Sequence, residues 1–397
     1  MQDEYPILFS LGVLLVLGPF LKSLMQRIRV PALVCYILLG YLISVLDTYW
    51  RFISPAFENT YSILAQVGVV ALLFRVGLNS HTDKLLQKLP DASLIWVGDV
   101  LTNLLFGFVL SRYALALPLE TSLVIATAFS ATSVAVSVGV WSELHKLRTN
   151  TGQLLVDVAE LDDLSGVLLL AILLAVIPVI QEGNGGLLYL VGSTSLTMLL
   201  KLALFLGGCY FFAHFLEERF TRFSRKVERS DTDLTITILG AGLAIAVVAG
   251  YMGFSLAIGA LFAGLAFSRD PQAVRTDAHF SYFYEFFTPF FFIHIGMQVD
   301  PVSFFSAFNL GAILFVVAAL GKFIGVAGVA LLLLQKKDAM LLGISMIPRA
   351  EIALVVVYQA SQFGESIVPQ TVFAAMVMVS LATSVFAPLL LRRVMDG

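Results

Sequence analysis

Residues 151–180 read TGQLLVDVAELDDLSGVLLLAILLAVIPVI, and two properties of this run indicate the architecture of the chain. The run is longer than the ~20 apolar residues with which a helix crosses the hydrocarbon core of a bilayer. It also carries two adjacent carboxylates, Asp162 and Asp163, about halfway along its length. A charged side chain at the bilayer centre costs at least ~2.5–3.5 kcal/mol, and such residues usually lie on an ion or proton pathway. We therefore predict a membrane helix with a working acidic pair at its centre.

The composition extends this interpretation to the whole chain. Of the 397 residues, 59% are hydrophobic and only 13% are charged, which is far less charge than a soluble protein of this size carries. Apolar runs recur throughout, and we predict an all-α polytopic membrane protein with thirteen transmembrane helices. The predicted spans are residues 5–22, 31–46, 60–79, 92–114, 119–141, 151–180, 187–215, 233–250, 252–267, 283–299, 304–334, 339–362 and 368–391.

The basic residues of the loops predict the orientation of these spans, because Lys and Arg are retained on the cytoplasmic side. Almost all of the loop Lys and Arg residues follow odd-numbered spans. The loops that follow even-numbered spans hold only Arg51 and Arg112. The N-terminus is therefore predicted outside and the C-terminus in the cytoplasm.

Two of the spans, the fifth and the twelfth, are predicted to be interrupted. The fifth contains a cluster of small hydroxyl residues around Thr132 and Ser133, which can satisfy backbone groups where a helix loosens. The twelfth contains Pro348, which removes a helix hydrogen bond. The two spans are seven apart, so their orientations in the membrane are opposite. Spans 4–6 and 11–13 are therefore predicted to be inverted repeats with two discontinuous, crossing helices.

The polar residues of four spans are predicted to lie at one depth. A rise of about 1.5 Å per residue places all of them roughly 15–18 Å into the membrane, near its midplane. They are Asp162 and Asp163, Thr132 and Ser133, Lys322, and Arg349 with Glu351. We therefore predict a single site at the centre of the membrane.

An adjacent pair of carboxylates in such a site predicts exchange chemistry. Two neighbouring carboxylates cannot both ionise cheaply when they are partly desolvated, so a proton and a hard cation compete for the same oxygens. This competition is the minimum that cation/proton exchange requires. Lys322 is the natural counter-charge, and its proton can leave when the ion arrives.

The sequence leaves two roles open for four further residues. Thr132 and Ser133 could satisfy freed backbone groups or could bind the ion directly. Asp157 and Glu160 precede the acidic pair at helical spacing. These two acids could line a cytoplasmic funnel or could pair with basic loop residues.

Structural roles are expected for two more pairs. Arg349 and Glu351 lie one and three residues after Pro348 and are predicted to fix the broken twelfth helix as an ion pair. Asp99 and Asn103 are spaced by four residues in the fourth span, which is typical of polar side chains that hold membrane helices together.

Together these features resemble the cation:proton antiporter-2 (monovalent cation:proton antiporter-2) family. The resemblance rests on the Asp162-Asp163 pair, the Ala131-Thr132-Ser133 break, Lys322, the Pro348-Arg349-Ala350-Glu351 element and the thirteen-span layout with an outward N-terminus. The double aspartate with a membrane lysine resembles the electrogenic sodium/proton branch. That resemblance implies that Asp163 is the principal carrier of Na⁺ and protons and that Asp162 is the partner of Lys322.

The same resemblance implies a division of the chain into a moving core and a static scaffold. The core comprises 91–180 (helices 4–6) and 303–397 (helices 11–13). The scaffold, which also forms a homodimer, comprises 1–80 (helices 1–3) and 231–300 (helices 8–10), and 187–230 supplies linker helix 7 and a basic cytoplasmic loop. An elevator-like shift of the core is expected to expose the site alternately to the two sides.

The sequence therefore predicts a secondary antiporter of the cell membrane that exchanges Na⁺, and also Li⁺, for protons and is electrogenic. No nucleophile motif, phosphate loop or metal-ligand cluster supports an enzyme or a cofactor, and a net charge of −3 carries no nucleic-acid signal. The expected partners are the transported ions, membrane lipids and a second copy of the chain. The alternatives are a K⁺/H⁺ antiporter regulated by a missing cytosolic domain and, in another class, a gated cation channel or membrane sensor.

Overall fold

The computed structural model of the protein describes residues 4–27, 30–79, 90–181, 194–227, 231–268 and 277–396. Every regular element in these ranges is a helix, so the predicted all-α class is confirmed for the described residues. The helices are α1 (Glu4–Arg27), α2 (Ala32–Trp50), α3 (Pro55–Asn79), α4 (Pro90–Val109), α5 (Leu119–Ser130), α6 (Val134–Glu143), α7 (Asn150–Gln181), α8 (Thr194–Phe211), α9 (Glu217–Val227), α10 (Asp231–Tyr251), α11 (Leu256–Phe267), α12 (Asp277–Met297), α13 (Pro301–Ser306), α14 (Phe308–Ala330), α15 (Lys336–Ser345), α16 (Glu351–Ser361) and α17 (Gln370–Asp396). Short π-helical turns extend α4 through Leu110–Ala114 and α8 through Phe212–Leu216.

Each predicted span coincides with one of these helices or with two consecutive ones. The predicted start of the seventh span, 187–193, lies outside the described residues. Eight described helices are long and apolar enough to cross a membrane, namely α1, α2, α3, α4, α7, α10, α14 and α17. Three shorter apolar helices are α5, α11 and α16. The protein is therefore a multi-pass membrane protein, and the orientation of the spans stays a prediction.

Residues 1–53, 87–173 and 295–397 form one compact unit. This unit contains residues 91–173 of one predicted core segment and all of the other, 303–397, together with α1 and α2. Its central helix is α14, which packs against α4, α15 and α17, while α5 packs against α4 and α16. An apolar cluster that includes Trp141, Leu155, Val326 and Leu342 lies in its interior.

Glycines permit a close approach of α4 and α14 within this unit. A Cβ atom added at Gly325 of α14 would lie 3.1 Å from the Cα atom of Asp99 and 3.0 Å from the Cβ atom of Thr102. A Cβ atom added at Gly98 of α4 would clash with a methyl carbon of Val329. The distance between the two helices leaves no room for larger side chains at these positions. Small residues commonly let membrane helices approach this closely. The approach brings the polar face of α4 against α14.

The second compact unit comprises residues 54–86 and 174–294. Here α11 packs against α3, α8 and α10. Aromatic side chains contribute many of its contacts, for example between the rings of Phe74 and Phe280, whose centroids are 5.5 Å apart. The guanidinium of Arg75 lies 4.4 Å from the ring centroid of Tyr284 and makes a cation–π contact with it.

Candidate functional site

The two predicted interruptions are present. Helix α5 ends at Ser130 and α6 begins at Val134, while α15 ends at Ser345 and α16 begins at Glu351. The two breaks cross in contact, because the backbone N–H of Ser133 donates to the carbonyl of Pro348 at 2.7 Å. The first break therefore donates a hydrogen bond to a backbone carbonyl of the second, at a point where neither segment continues its own helical hydrogen bonding.

Two buried cationic side chains donate hydrogen bonds to the last backbone carbonyls of α5. Lys322 Nζ donates to the carbonyl of Ser130 at 2.6 Å, and Arg349 donates to the carbonyl of Phe129 from Nε at 3.1 Å and from Nη2 at 2.8 Å. The last carbonyls of a helix lack intrahelical partners and carry the negative end of the helix dipole. Positive side chains at this end are therefore favourable, and they hold α5 to the second break.

Lys322 lies between two carboxylates from different helices. Its Nζ atom is 2.7 Å from Oδ2 of Asp99 on α4 and 3.1 Å from Oδ2 of Asp162 on α7. All three side chains are fully buried. The structure thus brings Lys322 to Asp162, the partner that the resemblance implies, and adds a second and closer carboxylate.

Asp99 is a site residue that the sequence does not reveal, because its spacing to Asn103 is also typical of helix packing. The side-chain amide of Asn103 does donate to Oδ1 of Asp99 at 2.7 Å. The signal that could have found Asp99 is the one used for Asp162, namely the cost of a carboxylate inside an apolar span.

Asn103 connects this carboxylate to Arg349. Its side-chain oxygen accepts from Nη2 of Arg349 at 2.7 Å, and the backbone N–H of Arg349 donates to Oγ1 of Thr383 at 3.0 Å. Arg349 is fully buried, and its guanidinium lies 5.0 Å from the ring centroid of Phe129. Arg349 therefore joins the second break to α4, α5 and α17, a wider role than the fixing of one broken helix that the sequence suggests.

Asp163 differs sharply from its neighbour Asp162. Its side chain is partly exposed, whereas Asp162 is fully buried. Within the part of the chain that the structure describes, no hydrogen bond reaches the carboxylate of Asp163. Consecutive side chains diverge by about 100° around a helix, so one member of the pair faces Lys322 while the other is left available.

The acidic pair lies on a part of α7 that packs against both breaks. A Cβ atom added at Gly166, one turn beyond the pair, would lie 3.4 Å from the Cβ atom of Ala131 and 3.4 Å from a methyl carbon of Ile352. Ala131 belongs to the first break, and Ile352 lies in the first turn of α16 after the second. The free carboxylate therefore belongs to the region where the two interrupted helices cross.

The hydroxyl groups of Thr132 and Ser133 are buried at this crossing. Each residue is only 3% exposed, and neither hydroxyl oxygen has a hydrogen-bond partner among the described residues. Leaving a buried polar group unpaired costs about 1–3 kcal/mol. The freed carbonyls of α5 are satisfied by Lys322 and Arg349 instead, so these hydroxyls are not used for backbone repair. Together with a carboxylate they are hard oxygen donors of the kind that an alkali cation binds.

Three further predicted site residues lie on α7 and α16. Asp157 is buried and Glu160 is partly exposed, both on α7 before the acidic pair. Glu351 begins α16 and is partly exposed. A carboxylate in the first turn of a helix is favourable because of the helix dipole. The funnel role of Asp157 and Glu160 and the Arg349–Glu351 ion pair stay predictions.

Comparison with known protein families gives the class of protein to which this site belongs. The family described as "Sodium/hydrogen exchanger, transmembrane" matches residues 12–397, which is nearly the whole chain. The chain belongs to this family. The resemblance to monovalent cation:proton antiporters is thereby confirmed at the level of the sodium/hydrogen exchangers.

Individual relatives of this exchanger are similar along most of their length. The high-affinity Na(+)/H(+) antiporter NhaS3 of Synechocystis sp. is 26% identical over 352 residues, which cover 87% of this chain and 74% of that protein. The Na(+)/H(+) antiporter of Enterococcus hirae is 25% identical over 389 residues, covering 96% of each chain. The solved structure of the sodium proton antiporter MjNhaP1 from Methanocaldococcus jannaschii at pH 8 has a TM-score of 0.73 at 15% identity, covers 100% of this chain and 98% of that one, and shows that the fold is shared.

Proposed function

We propose that this exchanger is a secondary active antiporter of the cell membrane that moves Na⁺, and also Li⁺, in exchange for protons. The family supports cation/proton exchange, and its relatives that are named Na(+)/H(+) antiporters support sodium as the cation. The observation that carries the proposal is the partly exposed, unpaired carboxylate of Asp163, next in sequence to a carboxylate that is already bound to Lys322. An unpaired carboxylate in an apolar span needs a cation or a proton.

Exchange follows from the competition of the two ions for Asp163. A proton on the carboxylate removes the charge that binds the cation, and a bound cation excludes the proton. The buried hydroxyls of Thr132 and Ser133 are proposed to supply further oxygens to the cation. Asp162 stays paired with Lys322 and is proposed to contribute to proton release through that pair. As a transporter the protein is proposed to need no cofactor and to catalyse no covalent reaction.

The proposed transport cycle is an elevator-like alternation. The core segments 91–180 and 303–397 are proposed to move against the scaffold segments 1–80 and 231–300, with 187–230 as the linker and the scaffold as the homodimer interface. The contacts of Lys322 and Arg349 support a single moving body, because they join α4, α5, α14 and the second break. A body held by so many buried polar contacts moves as a unit more readily than it deforms.

The decisive experiment is Asp163→Asn in proteoliposomes. We expect the variant to fold and to lose Na⁺-dependent dissipation of an imposed pH gradient, since the amide can neither bind a cation by charge nor carry the proton. Asp91→Asn is the matched control, because Asp91 is exposed at the start of α4 and the chemical change is identical. The control is expected to keep the wild-type rate.

The same assay with Na⁺, Li⁺ and K⁺ decides the identity of the cation. Dissipation that responds to Na⁺ and Li⁺ supports the proposal. A response to K⁺ without a response to Na⁺ would replace it with K⁺/H⁺ exchange. Normal exchange by Asp163→Asn would remove the assignment of the ion site, and a flux far above carrier turnover without proton coupling would indicate a channel.

A further inference from the structure

The shortest contact of Lys322 to a carboxylate is with Asp99, at 2.7 Å, and the proposed exchange mechanism does not use this residue. Asp99 and Lys322 are both fully buried, and Asp99 reaches Lys322 because glycines allow α4 and α14 to approach closely. A buried carboxylate is costly unless it is paired and hydrogen-bonded. Asp99 meets both conditions, because it also accepts a hydrogen bond from Asn103 at 2.7 Å.

The formal charges of the buried network cancel. Its four fully buried ionisable side chains are the carboxylates Asp99 and Asp162 and the cations Lys322 and Arg349. The cations lie at the end of α5, where each binds a backbone carbonyl. With this network neutral, the charge of Asp163 is left uncompensated at the crossing. Without Asp99 the network would carry one net positive charge, which opposes the binding of any cation beside it.

We propose that Asp99 is the positioning and charge-balancing residue of the ion site. It offsets the second buried cation, so that Asp163 presents a full negative charge to the transported ion. The inference rests on the proposed exchange of a monovalent cation and deepens it, because it assigns the affinity for that cation partly to a residue that does not touch it. The nearby acids Asp157, Glu160 and Glu351 keep their wild-type side chains in every variant that tests this role.

Asp99→Asn isolates the charge of this residue from its size. An asparagine has the same shape, and its amide oxygen can still accept from Lys322 or from Asn103. We expect the apparent KM for Na⁺ to rise on the order of tenfold, because the interaction of unit charges is strong in a partly desolvated site. The maximal rate is expected to change less than KM. Asp91→Asn removes a carboxylate from the exposed end of the same helix and should leave KM unchanged.

A charge swap separates charge balance from a purely structural bond. Asp99→Asn combined with Asn103→Asp keeps the residue composition and moves the carboxylate by one helical turn to a position whose side chain already contacts Arg349 at 2.7 Å. The network is again neutral, so we expect KM for Na⁺ to return towards the wild-type value. A role that depends only on the Asp99–Lys322 bond predicts no such recovery.

The outcomes distinguish this inference from the proposed function. If the wild-type protein shows no cation-dependent proton flux, the proposed function fails. If the wild type is active and Asp99→Asn has an unchanged KM, or the swap variant keeps the raised KM, only the inference is overturned. Should Asp99→Asn fail to fold, the swap variant carries the test alone. It must then fold and keep the wild-type KM, and failure in either respect overturns the charge-balancing role.

Discussion

Single hydroxyl groups at the first break have opposite consequences for folding and for the proposed transport. The hydroxyl oxygens of Thr132 and Ser133 are buried without partners among the described residues, so they reduce stability. The hydroxyl of Thr383, also buried, accepts from the backbone N–H of Arg349 at 3.0 Å and donates to the carbonyl of Val379 at 2.8 Å. The two kinds of threonine therefore predict opposite responses to the same substitution.

Thr132→Val is expected to leave the protein as stable as the wild type or more stable by about 1 kcal/mol, because an unpaired buried hydroxyl is removed. The same variant should have a raised KM for Na⁺, since one proposed ligand oxygen is lost. Thermal unfolding in detergent measures the first effect and proteoliposome exchange measures the second. A variant that is destabilised and has a normal KM would contradict the proposed ligand role.

Thr383→Val is the matched control for this substitution. It should lower stability by about 1–3 kcal/mol, because it leaves the N–H of Arg349 without its partner. Equal stability changes for the two threonine variants would show that the hydroxyl of Thr132 has a partner in the folded protein.

The close contact of α4 and α14 is the element-scale feature on which the buried network depends. Lys322 lies on α14 three residues before Gly325, and Asp99 lies on α4 directly after Gly98. A helix pair held apart by larger side chains could not bring the ammonium to 2.7 Å from the carboxylate. The packing of these two helices and the charge balance of the site are therefore linked.

Gly325→Ala tests this link. The added methyl group would lie 3.0–3.1 Å from atoms of Thr102 and Asp99, so α4 must shift. Overpacking of this kind costs about 1–3 kcal/mol, and we expect a loss of thermal stability together with slower exchange. Gly328→Ala on the same helix is the control, because nothing lies within 4 Å of its added Cβ atom. The control should be neutral or slightly stabilising, and identical behaviour of the two variants would refute the close-contact argument.

At the scale of the whole molecule, the described residues form two compact units, and the site lies entirely within one of them. The contacts among the buried cations, carboxylates and the two breaks stay inside this unit. The proposed proton transfer by both Asp163 and the Asp162–Lys322 pair predicts two protons for each cation. One net charge would then cross the membrane in every cycle.

Electrogenic exchange predicts that a membrane potential by itself drives Na⁺ transport. A membrane potential of 100 mV contributes about 2.3 kcal/mol for each elementary charge moved. In vesicles with equal Na⁺ and equal pH on both sides, an imposed potential should therefore drive Na⁺ one way and protons the other. Vesicles that hold Asp163→Asn serve as the control. Absence of any voltage-driven Na⁺ movement by the active wild type would establish electroneutral exchange.

Sequence reasoning predicted the helical membrane class, the two interruptions and the family. It also placed Asp162, Lys322 and the break around Thr132 at one depth. It did not distinguish the roles that Thr132 and Ser133 could have, and it assigned Asp99 to packing. Depth is set by position along a helix, whereas contact also requires the rotation of each helix about its axis and its distance from its neighbours.

The local properties of the chain thus determined which segments enter the membrane and where their helices break, since hydropathy and the absence of a proline N–H act within a few residues. The partners of each buried charge depended on packing between segments far apart in sequence. Lys322 is 223 residues from Asp99 and 160 from Asp162, and no local pattern predicts which of these carboxylates it will meet. The close approach of α4 to α14 brought Asp99 to the lysine, and the rotation of α7 turned Asp162 towards it and left Asp163 unpaired among the described residues, because helix rotation and spacing are properties of the packed molecule.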